Sequence, residues 1–308
     1  MPELPEVQTI VSDLQKILPG LKIGDVWTDW KKMFPASGGS ASGGINTSFK
    51  NFRKEVIGEK ILRIERKGKN ILIHLSRDKT ILVHQKMTGH FLYGNWEMAT
   101  PPIKGGVSWI SEKAGPIKND PQNRFIHLVL DLSNGKQLAL SDLRKFAKVL
   151  LWPTDKLSEL EDVNNLGPDP TDKDFDFKKF QERLANKKGK IKTVLMDQSV
   201  FAGIGNIYSD EILWLSGIHP LRPVSSLTQE ELKTIYTSTK KILKRALEAR
   251  GTSDSDYRDP SGRKGHYQEM LYVYGLKGEK CQKNDGGIIT RLKVGGRSAH
   301  FCPAHQKL

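Results

Sequence analysis

Apolar residues near the start of the chain recur at helical spacing. Val7, Ile10, Val11, Leu14, Ile17 and Leu18 fall on one stripe and predict a helix over residues 4–18. The period then changes. VIGEKILRIERKG, NILIHL, TILVHQKM, RFIHLVLDL, KQLALSD and AKVLLW are short β-like runs, and SNGK at 133–136 supplies a turn between two of them. Together they predict an antiparallel β domain over 1–152. Two stretches interrupt it: PASGGSASGGINTS (35–48) is Gly/Ser-rich, and 100–122, rich in Pro, Gly and Lys, reads as a long surface loop. A polar, proline-bearing stretch at 153–170 reads as a linker. Helical patterning follows over 171–271. Its clearest element starts at Thr228, where Glu231 completes a capping box, buries Leu232, Ile235, Tyr236, Ile242, Leu243 and Leu247, and stops at Gly251. The last part, 272–308, is short, basic and turn-rich. The pattern as a whole predicts an α+β, multidomain protein without internal repeats.

Charge narrows the choice of partner. The 308 residues carry 49 Lys and Arg against 35 Asp and Glu, a net charge of +14, which favours a polyanion. No apolar run is long enough to span a bilayer and no secretory core is present, so neither membrane binding nor export is expected. Cys281 and Cys302 are the only cysteines. They cannot make a disulfide framework, and a reducing, cytoplasmic setting is the default.

Three stretches could carry chemistry. In MPELPEV, Pro2 is a small second residue, so Met1 is expected to be removed. That would leave a secondary amine at the N-terminus. A plain helix start, with Pro in the first turn and Glu3 and Glu6 at the positive end of the dipole, explains the same residues and is compatible with it. In IKTVLMDQSVFAGIGNIYSDEILWLSGIHP (191–220), two helical stretches flank the tight turn AGIGN, which can aim backbone N–H groups at a phosphate. Asn206 adds a side-chain donor, and Lys187, Lys188, Lys190 and Lys192 cluster upstream; a helix–turn–helix of the core accounts for the turn equally well. In the tail, Cys281 and the pair Cys302 and His305, spaced C-x-x-H, suit tetrahedral zinc. The fourth ligand stays open among Asp285, which is best placed, Asn284 and His300.

PELPEV, LGPDP (166–170), LMDQSVFAGIGNIYSDEIL, GIHP (217–220) and YVYGLKGEKC (272–281) occur in the order found in bacterial formamidopyrimidine-DNA glycosylases of the Fpg/MutM type. The chain resembles that family from end to end apart from the two inserted loops. The resemblance implies an N-terminal β-sandwich with a flanking helix, a helix–two-turn–helix domain and a C-terminal zinc-finger-like β-hairpin, with DNA lying between. It implies a bifunctional DNA glycosylase and AP lyase of base excision repair. Such an enzyme excises 8-oxoguanine and formamidopyrimidines through a proline Schiff base and β,δ-elimination.

On that resemblance the Pro2 nitrogen is the nucleophile, Glu3 moves the protons of sugar ring opening, and Glu6 supports the site and the helix start. Lys69 matches a strand lysine near the sugar and phosphate. Met87 matches a wedge methionine, although spacing alone would place it in a core. Arg144 and Phe146 match the pair that fills the gap left by an extruded base. Lys187, Lys192, Asn206 and Arg297 match phosphate ligands, and Arg297 also assists the second elimination. Residues 274–308 carry 7 Lys or Arg against 2 Asp or Glu, as a DNA-facing finger would. Residues 251–268 match a loop that covers an extruded 8-oxoguanine, with Thr252, Ser253, Tyr257, Gly265 and Tyr267 as its candidate residues. The implied cofactor is one structural zinc on Cys281, Asp285, Cys302 and His305, with no redox or nucleotide cofactor. The implied partner is double-stranded DNA with oxidised bases or abasic sites, bound by a monomer in the bacterial cytoplasm near the nucleoid.

The sequence departs from the family at several points. Phe125 stands where a DNA-contacting histidine is usual, with His127 two residues on. Leu143 replaces a proline, and the second finger ligand is not cysteine. An oxidised-pyrimidine glycosylase of the endonuclease-eight branch and a non-catalytic binder of damaged DNA are the alternatives.

Overall fold

The computed structural model describes residues 1–34, 48–98, 109–111, 117, 118, 120–253 and 256–308. Nearly all of the Gly/Ser-rich stretch 35–48 and most of 99–116 lie outside these. The chain divides into two compact units: Met1–Asn164 with Arg250–His266, and Asn165–Ala249 with Tyr267–Leu308.

The first unit is a β-sandwich with a helix. Helix α1 (Leu4–Ile17) begins with a reciprocal capping box between Glu3 and Glu6 and buries Leu4, Val7, Ile10, Val11 and Leu14. After β1 (Ile23–Thr28) comes α2 (Phe49–Val56), which the sequence patterning did not predict; the Ser48 hydroxyl caps it by accepting the Asn51 N–H at 3.4 Å. Strands β2 (Ile61–Lys67), β3 (Asn70–Leu75) and β4 (Lys79–His84) form an antiparallel run. They are followed by β5 (His90–Gly94), a short hairpin of β6 (Trp96–Met98) and β7 (Trp109–Ser111), and then β8 (Ile126–Leu132), β9 (Gln137–Ser141), β10 (Lys148–Pro153) and α3 (Glu161–Asn164).

Two four-stranded sheets result, in the orders β1-β8-β9-β5 and β10-β4-β3-β2. Their facing sides and α1 enclose one core. Strand β3 is buried on both sides, which is why NILIHL reads as a continuous apolar run. Ile71, Ile73 and Leu75 enter the main core, whereas Leu72 joins Leu82, Leu150, Trp152 and Leu160 on the opposite face.

The expected surface loop at 100–122 is different where it is described. Trp109 and Ser111 on β7, and Ile117 after it, are buried, and Pro121–Phe125 forms a 3-10 turn. Trp96, Trp109 and Ile117 cover Leu92, Ile126, Val129 and Ala139 on the outer face of the first sheet. Trp109 within this stretch, with Trp96 just before it, was the signal that it carries its own core.

The second unit holds α4 (Phe177–Leu184), α5 (Ile191–Leu195), α6 (Asn206–Ser216), α7 (Gln229–Glu248) and a hairpin of β11 (Thr290–Val294) and β12 (Arg297–Phe301). LGPDP closes onto the turn before α6: Gly167 donates to the Gln198 carbonyl at 2.8 Å, and Ala202 donates to the Pro168 carbonyl at 3.1 Å. A Cβ on Gly167 would come within 2.4 Å of the Val200 carbonyl oxygen, so only glycine fits there. The helical region expected over 171–271 is not one body, because residues 250–266 pack with the β-sandwich. The C-terminal hairpin clusters with the helices.

Candidate active site

The head of α1 is a buried carboxylate arrangement. Pro2 is buried, and Glu3 and Glu6 are 2% and 1% exposed. Glu6 Oε2 accepts the Glu3 N–H at 2.7 Å, and its Oε1 accepts the Thr252 N–H at 2.7 Å. One side chain therefore fixes both the helix start and the beginning of the 251–266 segment. Gly251 makes this approach possible. It has φ +81°, and a Cβ would come within 2.6 Å of Glu6 Oε1. Met1, at the open end, is 41% exposed.

The 251–266 segment is tied down further along its length. Ser253 Oγ accepts the Gly265 N–H at 2.9 Å and donates to the Tyr257 carbonyl at 2.8 Å. The Tyr257 hydroxyl donates to the Glu6 carbonyl at 3.4 Å, and burial beside the Glu6 and Asp259 carboxylates holds this phenol well above its usual range. Thr252, Ser253, Tyr257 and Gly265 thus come together beside α1. Tyr267 does not join them: it lies in the core of the second unit, its ring 5.6 Å from that of Tyr208.

Lys69 is placed in the turn between β2 and β3 rather than on a strand, and is 7% exposed. The wedge candidates meet on two neighbouring loops. Arg144 Nη1 donates to Met87 Sδ at 2.8 Å, and its guanidinium lies 4.6 Å over the Phe146 ring. Met87 and Phe146 are 41% and 51% exposed, although both are large and apolar. Asp142, which the sequence reading passed over, shapes this loop. Its Oδ2 accepts the N–H groups of Phe146 and Ala147, both at 2.7 Å, and its Oδ1 accepts the Thr88 hydroxyl. The signal was available in SDLRKF, where an aspartate at a turn start commonly takes up the following N–H groups. His127, expected to touch DNA, is only 5% exposed on β8. Its Nδ1 pairs with Asp29 at 2.8 Å, and its Nε2 has no partner among the described residues.

In the second unit the phosphate candidates separate. Arg297 is exposed just after the Gly295–Gly296 turn of the β11–β12 hairpin, and Lys187 is partly exposed after α4. Asn206 opens α6, with its Oδ1 buried and unpartnered among the described residues. The Gly203 N–H of AGIGN is taken by Gln198 Oε1 at 2.9 Å. Lys192 corrects the expectation for it: it is 0% exposed and ion-paired with Asp210, itself 1% exposed. Asp210 Oδ2 also accepts the His300 N–H at 2.9 Å and faces His300 Nδ1 at 3.2 Å. A charge enclosed in this way holds α5, α6 and β12 together and offers nothing to a phosphate.

The tail brings Cys281, Asp285, Cys302 and His305 together, with one ligand atom of each lying within 4.8 Å of the others. The Cys281 Sγ to His305 Nδ1 distance is 3.8 Å, and Cys302 Sγ lies 3.5 Å from Asp285 Oδ2. Zinc bonds of about 2.0–2.3 Å in a tetrahedron set its edges at about 3.3–3.8 Å, so these two spacings fit, whereas the 2.5 Å between His305 Nδ1 and Asp285 Oδ2 is that of a hydrogen bond and widens if an ion enters. His305 Nε2 lies 3.3 Å from the Trp214 carbonyl. Its Nδ1 faces Asp285 Oδ2 at 2.5 Å, inside the cluster. The Gly287 N–H and His305 hold the Asp285 carboxyl down at about 2. The two rival ligands are elsewhere: His300 is engaged by Asp210, and Asn284 is a turn residue with φ +54°.

Comparison with known proteins agrees with this layout. Residues 1–149 match the formamidopyrimidine-DNA glycosylase N-terminal domain, and residues 166–257 match the H2TH domain of the same enzymes. The chain is 36% identical over 308 residues to formamidopyrimidine-DNA glycosylase of Pelotomaculum thermopropionicum, covering 100% of both. It is 34% identical over 307 residues to that of Streptococcus mutans, again covering 100% of both. Among solved structures, Lactococcus lactis Fpg in complex with abasic-site DNA is similar at TM-score 0.81 and 31% identity, over 99% of this chain and 100% of that one. The same protein with Fapy-dG-containing DNA is similar at TM-score 0.80 and 32% identity, over 99% and 100%. With both domains matched in order and the likeness running the whole length, the chain belongs to the formamidopyrimidine-DNA glycosylase family.

Proposed function

We propose that this DNA glycosylase of base excision repair is bifunctional, removes oxidised purines and then cleaves the strand, with the Pro2 nitrogen as nucleophile. The observation that carries the reading is the head of α1, where Pro2 stands beside two buried carboxylates. In the encoded chain the Pro2 nitrogen is an amide; loss of the exposed Met1 makes it a secondary amine. The amine attacks C1′ of the damaged nucleotide, and the glycosidic electron pair leaves with the base, which takes up a proton. Glu3 protonates the ring oxygen, the sugar opens, and an iminium joins Pro2 to C1′. That cation acidifies the C2′ proton, whose loss expels the 3′ phosphate. Loss of the C4′ proton then expels the 5′ phosphate, and water hydrolyses the iminium. The covalent link divides one difficult displacement into easier steps.

To reach C1′ the nucleotide must leave the stack, at a cost of a few kcal/mol. Met87, Arg144 and Phe146 offer an exposed apolar and cationic wedge for the gap. Lys69, Lys187, Asn206 and Arg297 supply cationic and donor groups for the sugar and phosphates. The 251–266 segment, anchored by Glu6, supports a preference for purines through cover of an extruded 8-oxoguanine. Cys281, Asp285, Cys302 and His305 would hold a structural zinc that stiffens the base of the hairpin carrying Arg297.

Borohydride trapping on duplexes with 8-oxoguanine or an abasic site tests the nucleophile. A covalent adduct is expected from the mature chain and a strongly reduced one from Pro2→Gly combined with Glu3→Gln. An undiminished adduct from that double variant would refute the assignment. Parallel cleavage of 8-oxoguanine:C and thymine-glycol:A duplexes decides between purine and pyrimidine preference.

A further inference from the structure

The described residues between β5 and β8 take no part in the reaction proposed above, yet Ile117, Asp120 and Gln122 among them lie against the strap assigned to lesion cover. They are first anchored to the sandwich. Trp109 meets the Trp27 ring edge-on at 4.9 Å, and Trp96 Nε1 donates to Asn123 Oδ1 at 3.0 Å. Asn123 Nδ2 donates in turn to the Ile117 carbonyl at 2.7 Å. Trp96, Trp109 and Ile117, buried on the outer sheet face, form a packed platform.

From the platform several groups reach the strap. Asp120 Oδ2 accepts from Arg258 Nε at 3.2 Å, and both residues are 8% exposed. Gln122 Nε2 donates to Asp256 Oδ1 at 3.3 Å. Tyr93, at the end of β5, donates its N–H to the Pro260 carbonyl at 2.7 Å. Ile117 lies directly against Gly262: a Cβ at that position, where φ is +80°, would come within 2.8 Å of Ile117 Cγ1. The strap's own turn is closed by Asp259, whose Oδ1 accepts the N–H groups of Ser261 at 2.9 Å and Arg263 at 3.0 Å. The turn therefore docks as a formed piece.

We propose that Ile117, Asp120 and Gln122, between β7 and β8, form a brace in which Asp120, through Arg258, is a positioning residue that holds the lesion-covering strap in place and so sets how well an extruded base is retained. The inference rests on the reading of 251–266 as lesion cover. A charge-assisted hydrogen bond buried this deeply is strong enough that its loss should change strap opening by at least about tenfold.

The test uses the full chain with Asp120→Asn, which keeps an oxygen to cap the 3-10 turn, and with the charge exchange Asp120→Arg plus Arg258→Asp. Hydrogen exchange of residues 256–264 and the ratio of 8-oxoguanine excision to abasic-site cleavage are read together. Asp120→Asn is expected to speed exchange of the strap and lower the ratio by about tenfold, with abasic-site cleavage unchanged and α1 still protected. The charge exchange is expected to restore part of both. Unchanged exchange in Asp120→Asn overturns the brace, and faster exchange with an unchanged ratio overturns its part in lesion retention. Should wild type cleave abasic sites but excise no base, the lesion-cover reading fails and the inferred role in retention falls with it. The exchange data would still decide whether Asp120 holds the strap.

Discussion

Lys192 shows how far residue type can mislead. It stands in a run of four lysines, and from the sequence it is indistinguishable from a phosphate ligand. The fold encloses it against Asp210, and the difference has a measurable consequence. Lys192→Ala should destabilise the protein by about 3–5 kcal/mol in denaturant unfolding, because it strands the buried Asp210 carboxylate. Asp142 is the opposite case, a residue with no charge partner in the sequence that turns out to shape the wedge loop through N–H groups. Removing it with Asp142→Ala leaves three donors to find water. It should cost about 2–4 kcal/mol and reduce base excision more than abasic-site cleavage, since the wedge matters most while the base is being extruded. Neither residue's role was legible beforehand, because both depend on contacts made only once the loops are closed. What was legible was the helix start at Pro2, Glu3 and Glu6, whose capping box the structure forms.

Elements came through in proportion to how regular they are. The α1 stripe, the capping box at Thr228 and Glu231, and most strands of both sheets follow from period and punctuation. Helix α2 and the β6–β7 hairpin were missed because they are short, so tertiary contact decides them rather than pattern. In the tail, spacing left three possible fourth ligands, and of these Asp285 lies in the cluster with Cys281, Cys302 and His305. Cys302→Ser should reduce bound zinc from about one per chain to near none, read by metal analysis. A second prediction concerns α6. Its Glu211 takes the N–H groups of Tyr272, Val273 and Tyr274 at 2.9–3.0 Å and so fixes where the chain leaves for the finger. Burial pushes the Glu211 carboxyl up from 4.5 to about 8, against the lowering by those N–H groups. A carboxyl raised in the folded state binds more protons there than when unfolded. Its contribution is therefore complete below pH 4.5 and is lost as pH rises toward about 8. Glu211→Gln removes that slope, so wild-type melting temperature should fall relative to the variant between about pH 5 and 8.

At the scale of the whole molecule, the net charge of +14 predicts a polyanionic partner but not which cations meet it. The two units divide the work: the first carries the proposed nucleophile and wedge, and the second carries the proposed phosphate ligands. Affinity for a duplex should therefore fall steeply with salt, through displacement of counterions by the cations that touch phosphate. Each such cation removed should lower the slope of log K against log salt by about 1. Lys187→Ala and Arg297→Ala, both at exposed or partly exposed positions, should each do so and weaken binding to lesion and undamaged DNA alike. Lys192→Ala, assayed at a temperature where it remains folded, should leave the slope as it is, because its ammonium is already neutralised by Asp210. Fluorescence anisotropy over a salt series separates these outcomes. A slope that drops equally for all three variants would mean that the enclosed Lys192 opens toward DNA on binding. A slope unmoved by Arg297→Ala would detach the β11–β12 hairpin from the phosphate backbone and with it the part assigned to the finger.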